Sequence, residues 1–275
     1  MGLSCAITKQ NEEQASLFLG MEAHAPWPAM LPDAHMVQAQ YRHLTLIFLG
    51  KTSYQHLCTL LPHLPLPPFR IGPVSIFDSC LFLPKHHPRV VAWHVKPFGE
   101  NDLLTLYQKQ IFLFFKKQGY RLDVREPIHH VTLGRLPFVI QEWKEAFQPL
   151  PLYLQNVHLY ASRGGLCYEP IWTHPILPPF EEVEHVADVA FHIFGENLQQ
   201  LYYHAQIALT FAYPQILPFL RSYLRVKNLE EIIIELNQII AKVDQELGIS
   251  CKAVSFHGDV KRENEVFVWE MVVDV

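Results

Sequence analysis

Several things are scarce in this 275-residue chain, and each scarcity closes off a class of function. The five cysteines (Cys5, Cys58, Cys80, Cys167 and Cys251) are odd in number, scattered, and never in a C-x-x-C pair. That leaves no zinc or dithiol framework and fits a reduced cytosol. Net positive charge is missing too: 22 Lys and Arg against 27 Asp and Glu give −5. The chain therefore does not coat nucleic acid by bulk electrostatics, although a local basic groove would still hold one RNA end. No apolar run approaches the roughly 20 residues of a membrane span, and the N-terminus lacks the basic-then-apolar order of a signal peptide. The expected setting is cytoplasmic, with no membrane partner. MGLSCA opens like a myristoylation signal but carries Ala6 where Ser or Thr is wanted.

What is present points to a globular enzyme-sized protein. With 49% hydrophobic and 12% aromatic residues the chain can bury a sizeable core, and its length lies between one large domain and two ordinary ones. Sixteen histidines are more than usual, and only their positions separate chemistry from ordinary surface.

Periodicity and punctuation divide the chain. SLFLGME (16–22) reads as a buried strand, APWPAMLPDA (25–34) as a loop, and HLTLIFLG (43–50) as a second strand. LPHLPLPPF (61–69) is a proline-rich connection before strands at VSIFDSCLFL (74–83) and RVVAWHV (89–95). NDLLTLYQKQIFLFFKKQGY predicts a helix capped by Asn101 or Asp102, with Lys116 and Lys117 at its negative end and Gly119 as a left-handed stop. HVTLGRL, from His130, is a strand, QEWKEAF (141–147) a short helix and NVHLYAS (156–162) a strand. A helix-strand-strand-strand order recurs loosely, as in an internal duplication. WTHPILPPFEEVE (172–184) is the best linker candidate. Beyond it come a strand at 185–194, a helix at 197–212, and a helix from Asn228 to Gly248 with Leu229, Ile232, Ile233, Leu236, Ile239, Ile240, Val243 and Leu247 in one stripe. CKAVSF (251–256) and EVFVWEMVVDV (265–275) read as a closing hairpin. These boundaries predict an α+β domain over 1–177 and a small α/β domain over 181–275.

The first domain carries H-x-T-L twice, at His43 and at His130. Side chains alternate along a strand, so His43 shares a face with Thr45, and His130 with Thr132, while the leucines hold each strand on the core. One copy alone is read as well as a core strand with a polar residue facing solvent. Two copies on neighbouring strands would aim two imidazoles and two hydroxyls into one cleft. That set suits a phosphodiester without metal: the hydroxyls donate to phosphate oxygens, one imidazole takes a proton and the other gives one. His86 and His87, between Pro84 and Pro88, read as exposed loop, and His129 points to the face opposite His130.

RHLTLIFLG, LFLPKHHPRVVAWHV, HHVTLGR and VHLYASRGGLCYE together resemble the two-histidine phosphoesterase superfamily, specifically the 2′-5′ RNA ligase-like RNA 2′,3′-cyclic phosphodiesterases, over roughly residues 15–177. The resemblance implies a bilobal fold about a central cleft, with His43 and Thr45 on one lobe and His130 and Thr132 on the other. It also implies opening of an RNA 2′,3′-cyclic phosphate end by water to a 2′-phosphate, with 2′-5′ joining as the reverse reaction. On this reading His130 activates the water, His43 protonates the leaving O3′, Thr45 and Thr132 hold nonbridging oxygens, and Arg135 adds positive charge. No cofactor is expected at this site.

Asp188 and Asp274 stand in strand-like EHVADVAF and MVVDV, where aspartate is disfavoured without compensation. If the two strands are neighbours, their carboxylates and the oxygens of Val275 converge, and oxygen-only ligation suits Ca²⁺ or Mg²⁺. From spacing alone, two aspartates facing water is the simpler reading. HVADVAFHIFGENLQQLYYHA, KAVSFHG and VVDV resemble archease, a small metal-binding activator of the GTP-dependent tRNA-splicing RNA ligase, which implies a metal at Asp188, Asp274 and Val275 and such a ligase as partner. The sequence departs from that family at Val186, where a threonine is familiar, and in a shortened middle. The rival to an enzyme is an accessory protein whose N-terminal cleft only holds RNA ends while the second domain stimulates a ligase.

Overall fold

The computed structural model describes residues 16–99, 102–123, 128–184, 188–256 and 258–275. Cys5, Asn101 and Val186 lie outside the described residues. The first unit runs β1 (Ser16–His24), β2 (His35–Met36), β3 (His43–Lys51), α1 (Tyr54–Leu60), β4 (Val74–Leu83), β5 (Val90–Pro97), α2 (Leu103–Lys117), β6 (His130–Arg135), α3 (Ile140–Ala146), β7 (Leu150–Ser162) and β8 (Tyr168–His174). Its strands form one eight-stranded sheet in the order β1-β3-β6-β5-β4-β7-β8, with β2 on β6, and β7 also pairs with β1. The circuit thus returns on itself. All the named strand pairs are antiparallel.

Period-two alternation builds this sheet. Leu17, Leu19 and Met21 of β1, Leu44 and Leu46 of β3, Val91, Trp93 and Val95 of β5, and Val131 and Leu133 of β6 all point to one buried core. Leu104, Tyr107, Ile111 and Phe115 of α2 belong to the same core at helical spacing. The Asp102 carboxylate caps α2 by accepting the Thr105 N–H at 2.9 Å, and Gly119 takes the left-handed stop at φ 83°. A strand-helix-strand-strand order does recur, as β3-α1-β4-β5 and β6-α3-β7-β8, with β4–β5 and β7–β8 each paired antiparallel. The two motif strands, one from each repeat, lie side by side in the sheet and are joined at the pair Leu44–Val131.

The second unit contains β9 (Phe180–Val183), β10 (Val189–Gly195), α4 (Leu198–Ala212), α5 (Leu229–Leu247), β11 (Ala253–Val254), β12 (Lys261–Glu263) and β13 (Val266–Asp274). Its sheet has the order β11-β13-β10-β9, with β12 also on β13. Asn228 and Gly248 bound α5 as predicted, and Ile232, Ile233, Leu236, Ile239, Ile240 and Val243 are its buried stripe, while Leu247 is exposed.

Two segments differ from expectation. The 172–184 stretch is structured at both ends, because Trp172–His174 complete β8 and Phe180–Val183 form β9 against β10. Between them Leu177 exchanges backbone hydrogen bonds with Arg70 and Gly72, so the prolines mark a crossing and not a free linker. The closing hairpin joins β12 to β13 through Asn264 and Glu265, both at positive φ, while β11 covers only the far end of β13. An Asn-Glu turn lacks the glycine that normally announces such a bend.

The first unit contributes side chains to the core of the second. Val74 and Tyr153 of the first sheet pack with the second cluster, and Tyr153 meets Phe180 and Phe211 at ring separations of 5.2 and 5.6 Å. This is why α4 is buried nearly all round: it lies between β10 and the first sheet. Arg70 pairs with Glu265 across the same boundary, and its backbone N–H donates to Glu196 at 2.8 Å.

Candidate active site

The two H-x-T motifs meet because β3 and β6 are hydrogen-bonded neighbours with Leu44 opposite Val131. Both of those residues are fully buried in the core. Their flanking residues therefore point to the other face, and continuing the antiparallel register one step each way sets His43 beside Thr132 and Thr45 beside His130. The histidines then sit on a diagonal with Cβ atoms roughly 7–8 Å apart, a gap that one phosphate spans with a hydrogen bond on either side.

Both rings are held the same way. His43 Nδ1 lies 2.8 Å from the Tyr41 carbonyl oxygen, and His130 Nδ1 lies 2.6 Å from that of Ile128. A carbonyl only accepts, so Nδ1 carries the proton in each ring and Nε2 is left for chemistry. Their environments differ. His43 is buried among Phe18, Tyr160 and Tyr168 at ring separations of 4.7, 5.2 and 4.8 Å, whereas His130 is half-buried. Burial pulls the His43 imidazole down to about 4, against the opposing pull of its bond to Tyr41, and the nearby charge of His130 lowers it further. The neighbouring Gly20 makes room for this packing: a Cβ there would meet Leu44 O at 2.8 Å and the His43 and Tyr160 rings at 3.4 Å.

No family model matches the chain, and no curated protein does. Among solved structures the chain is similar to a phosphoesterase at 21% identity and TM-score 0.43, and to E. coli LigT complexed with 3′-AMP at 20% and 0.43. Each match covers 60% of this chain and 99% of that one. A Thermus thermophilus protein is similar at 15% identity and TM-score 0.44, over 58% of this chain and 97% of its own.

Of the residues singled out from the sequence, His43, Thr45, His130 and Thr132 share one face. Arg135 does not join them as closely. It ends β6, exposed, opposite His35 and Val90, three residues and roughly 10 Å along the strand beyond Thr132. His129 points the other way, as expected, and its Nε2 meets Gln108 Oε1 at 2.9 Å while Gln108 Nε2 donates to Leu46 O. His86 and His87 are exposed in the turn after β4.

Sequence reasoning missed two groups on the same face. His94 lies directly across from His130, and its Nδ1 donates to the Asp78 carboxylate at 2.6 Å. On β1, Glu22 lies opposite His43 and accepts from His158 Nε2 at 2.6 Å, from His24 at 3.2 Å and from Asn156 at 3.3 Å. Burial would raise the Glu22 carboxyl, but the hydrogen bonds and charges of His158 and His24 outweigh it and hold the group at about 2. Strand parity in VVAWHV was the one signal for His94. Nothing local marked Glu22, whose partners come from β1 and β7.

In the second unit β10 and β13 are neighbours with Val189 opposite Val273, so Asp188, just before β10, falls beside Asp274. That much of the proposed metal set converges. Asp274, however, already accepts the Ser255 hydroxyl at 2.7 Å, and the Lys252 ammonium sits 2.6 Å from the Val275 carbonyl oxygen. A dication would have to displace that ammonium, so the donors as arranged fit one poorly. Among the described residues no group of three or more His, Cys, Asp or Glu side chains could hold a metal.

Proposed function

We propose that this chain is a phosphodiesterase that opens RNA 2′,3′-cyclic phosphate ends to 2′-phosphates with two imidazoles and two hydroxyls. The observation that supports this reading is the β3–β6 pairing with Leu44 opposite Val131, from which, continuing the register by one step, each histidine falls beside the other motif's threonine. Thr45 and Thr132 donate to the nonbridging phosphate oxygens. Water attacks phosphorus, one imidazole removes its proton, the P–O3′ bond breaks, and the other imidazole protonates O3′.

We infer the roles from the difference in burial. A His43 ring held at about 4 is neutral near pH 7, with its proton on Nδ1 and a lone pair on Nε2, which is the starting state of a base. The acid is then His130. This reverses the roles expected from the sequence resemblance.

Purified protein with EDTA should open a cyclic-phosphate oligonucleotide, and His43→Ala and His130→Ala should each lose about 10²–10⁴-fold in rate. A substrate with sulfur in place of O3′, whose leaving group needs no proton, separates the roles: it should restore His130→Ala and leave His43→Ala slow. Rescue of His43→Ala instead would exchange the two. Wild-type protein that binds such RNA without product would favour an RNA-end-holding accessory protein. We further propose that the second unit links the reaction to RNA joining by a GTP-dependent ligase, tested by whether the purified chain raises that ligase's turnover. No step is drawn through a cation at Asp188 and Asp274.

A further inference from the structure

We propose that His94, held by Asp78, forms a second phosphate subsite beside the paired histidines, which makes an RNA oligonucleotide end the preferred substrate over a lone cyclic mononucleotide. This rests on the phosphodiesterase reading above. His94 faces His130 directly across the β5–β6 ladder, so their Cβ atoms are roughly 4.5–5.5 Å apart on the same face. Val91, Trp93 and Val95 fill the core side of β5, which leaves Ala92, His94 and Lys96 on the side of the candidate site. The scissile phosphate would lie on the His43–His130 diagonal, between β3 and β6. His94 stands one strand further over, away from His43, where the next anionic group of a chain crossing the strands would come.

The dyad is built for presentation. A bulge in β4 between Phe77 and Ser79 turns Asp78 toward β5, and its Oδ1 accepts both His94 Nδ1 at 2.6 Å and the Ser79 hydroxyl at 3.1 Å. With Nδ1 fixed by the carboxylate, Nε2 is the edge left outward, the same presentation seen in His43 and His130. When Nε2 carries a proton it donates to a phosphate oxygen while Asp78 balances the charge behind it. Lys96, exposed two positions along the same face, adds a cation on the path such a strand would take.

The experiment compares a cyclic mononucleotide, which has one phosphate, with a dinucleotide ending in a 2′,3′-cyclic phosphate, which has a second. For His94→Ala and Asp78→Asn, the KM of the dinucleotide should rise relative to that of the mononucleotide by about tenfold. His94→Gln, which keeps a donor, should recover part of the difference. Circular dichroism checks that each variant folds. A ratio unchanged from wild type, or losses in kcat alike on both substrates, would overturn the subsite and leave the phosphodiesterase reading standing. If wild-type protein opens neither substrate, both fall together.

Discussion

At the scale of single residues, the site depends on how His43 is enclosed. Because burial holds this imidazole at about 4, a base at this position stays competent well below the usual histidine range. The acid limb of kcat/KM against pH should therefore fall near 4, and a limb near 6.5 would rule out His43 as the base. Gly20 is the residue that permits the enclosure. Gly20→Ala would push against the Leu44 backbone oxygen, which cannot swing aside, and should cost about 1–3 kcal/mol of stability with a fall in rate beyond that seen at unrelated surface sites. Denaturant unfolding read beside initial rates checks it. Normal activity in Gly20→Ala would mean that the His43 pocket has slack the packing does not show.

At the scale of elements, the site is a property of two strands in one register, braced from behind by α2. Gln108 ties the helix to both: its amide nitrogen donates to Leu46 O on β3, and its oxygen meets His129 Nε2, one residue before His130. Gln108→Leu should fit the volume yet strand a buried carbonyl and an imidazole, costing about 1–3 kcal/mol. It should also lower kcat by loosening the β3–β6 register, measurable by thermal unfolding and steady-state rates. A variant as stable and active as wild type would show that the strands hold their register without the helix.

At the scale of the molecule, acid sensitivity has contributions from both units. His43 in the first unit and His204 in the second are buried and lowered to about 4, and burial lowers His129 and His174 in the same direction. Their folded values lie below the unfolded one near 6.5, so between pH 6.5 and about 4 the unfolded chain binds protons that the folded chain refuses. Stability falls as pH drops through that window. Glu22, lowered from 4.5 to about 2, adds stability that is present above 4.5 and lost toward 2, extending the same trend. Urea midpoints should therefore decline continuously from neutral pH into acid, and His204→Leu should flatten the upper window. A midpoint independent of pH between 6.5 and 4 would contradict the burial of these imidazoles.

The sequence by itself determined the local order. Alternation in HLTLIFLG and HVTLGR set which side chains face together, Asp102 and Gly119 ended α2, Asn228 and Gly248 ended α5, and the doubled motif marked four of the residues that meet. These are readable because a strand's period and a helix's caps depend on neighbours a few residues away. Only the tertiary structure decided what depends on distant partners: that β3 and β6 adjoin in one sheet, that His94 stands across from His130, and that Glu22 is gripped by His158. It also decided that His43 is buried while His130 is only half-buried, and that Val74 and Tyr153 of the first sheet pack into the core of the second unit. Burial and register are sums over contacts between segments far apart in the chain, and no local pattern carries them.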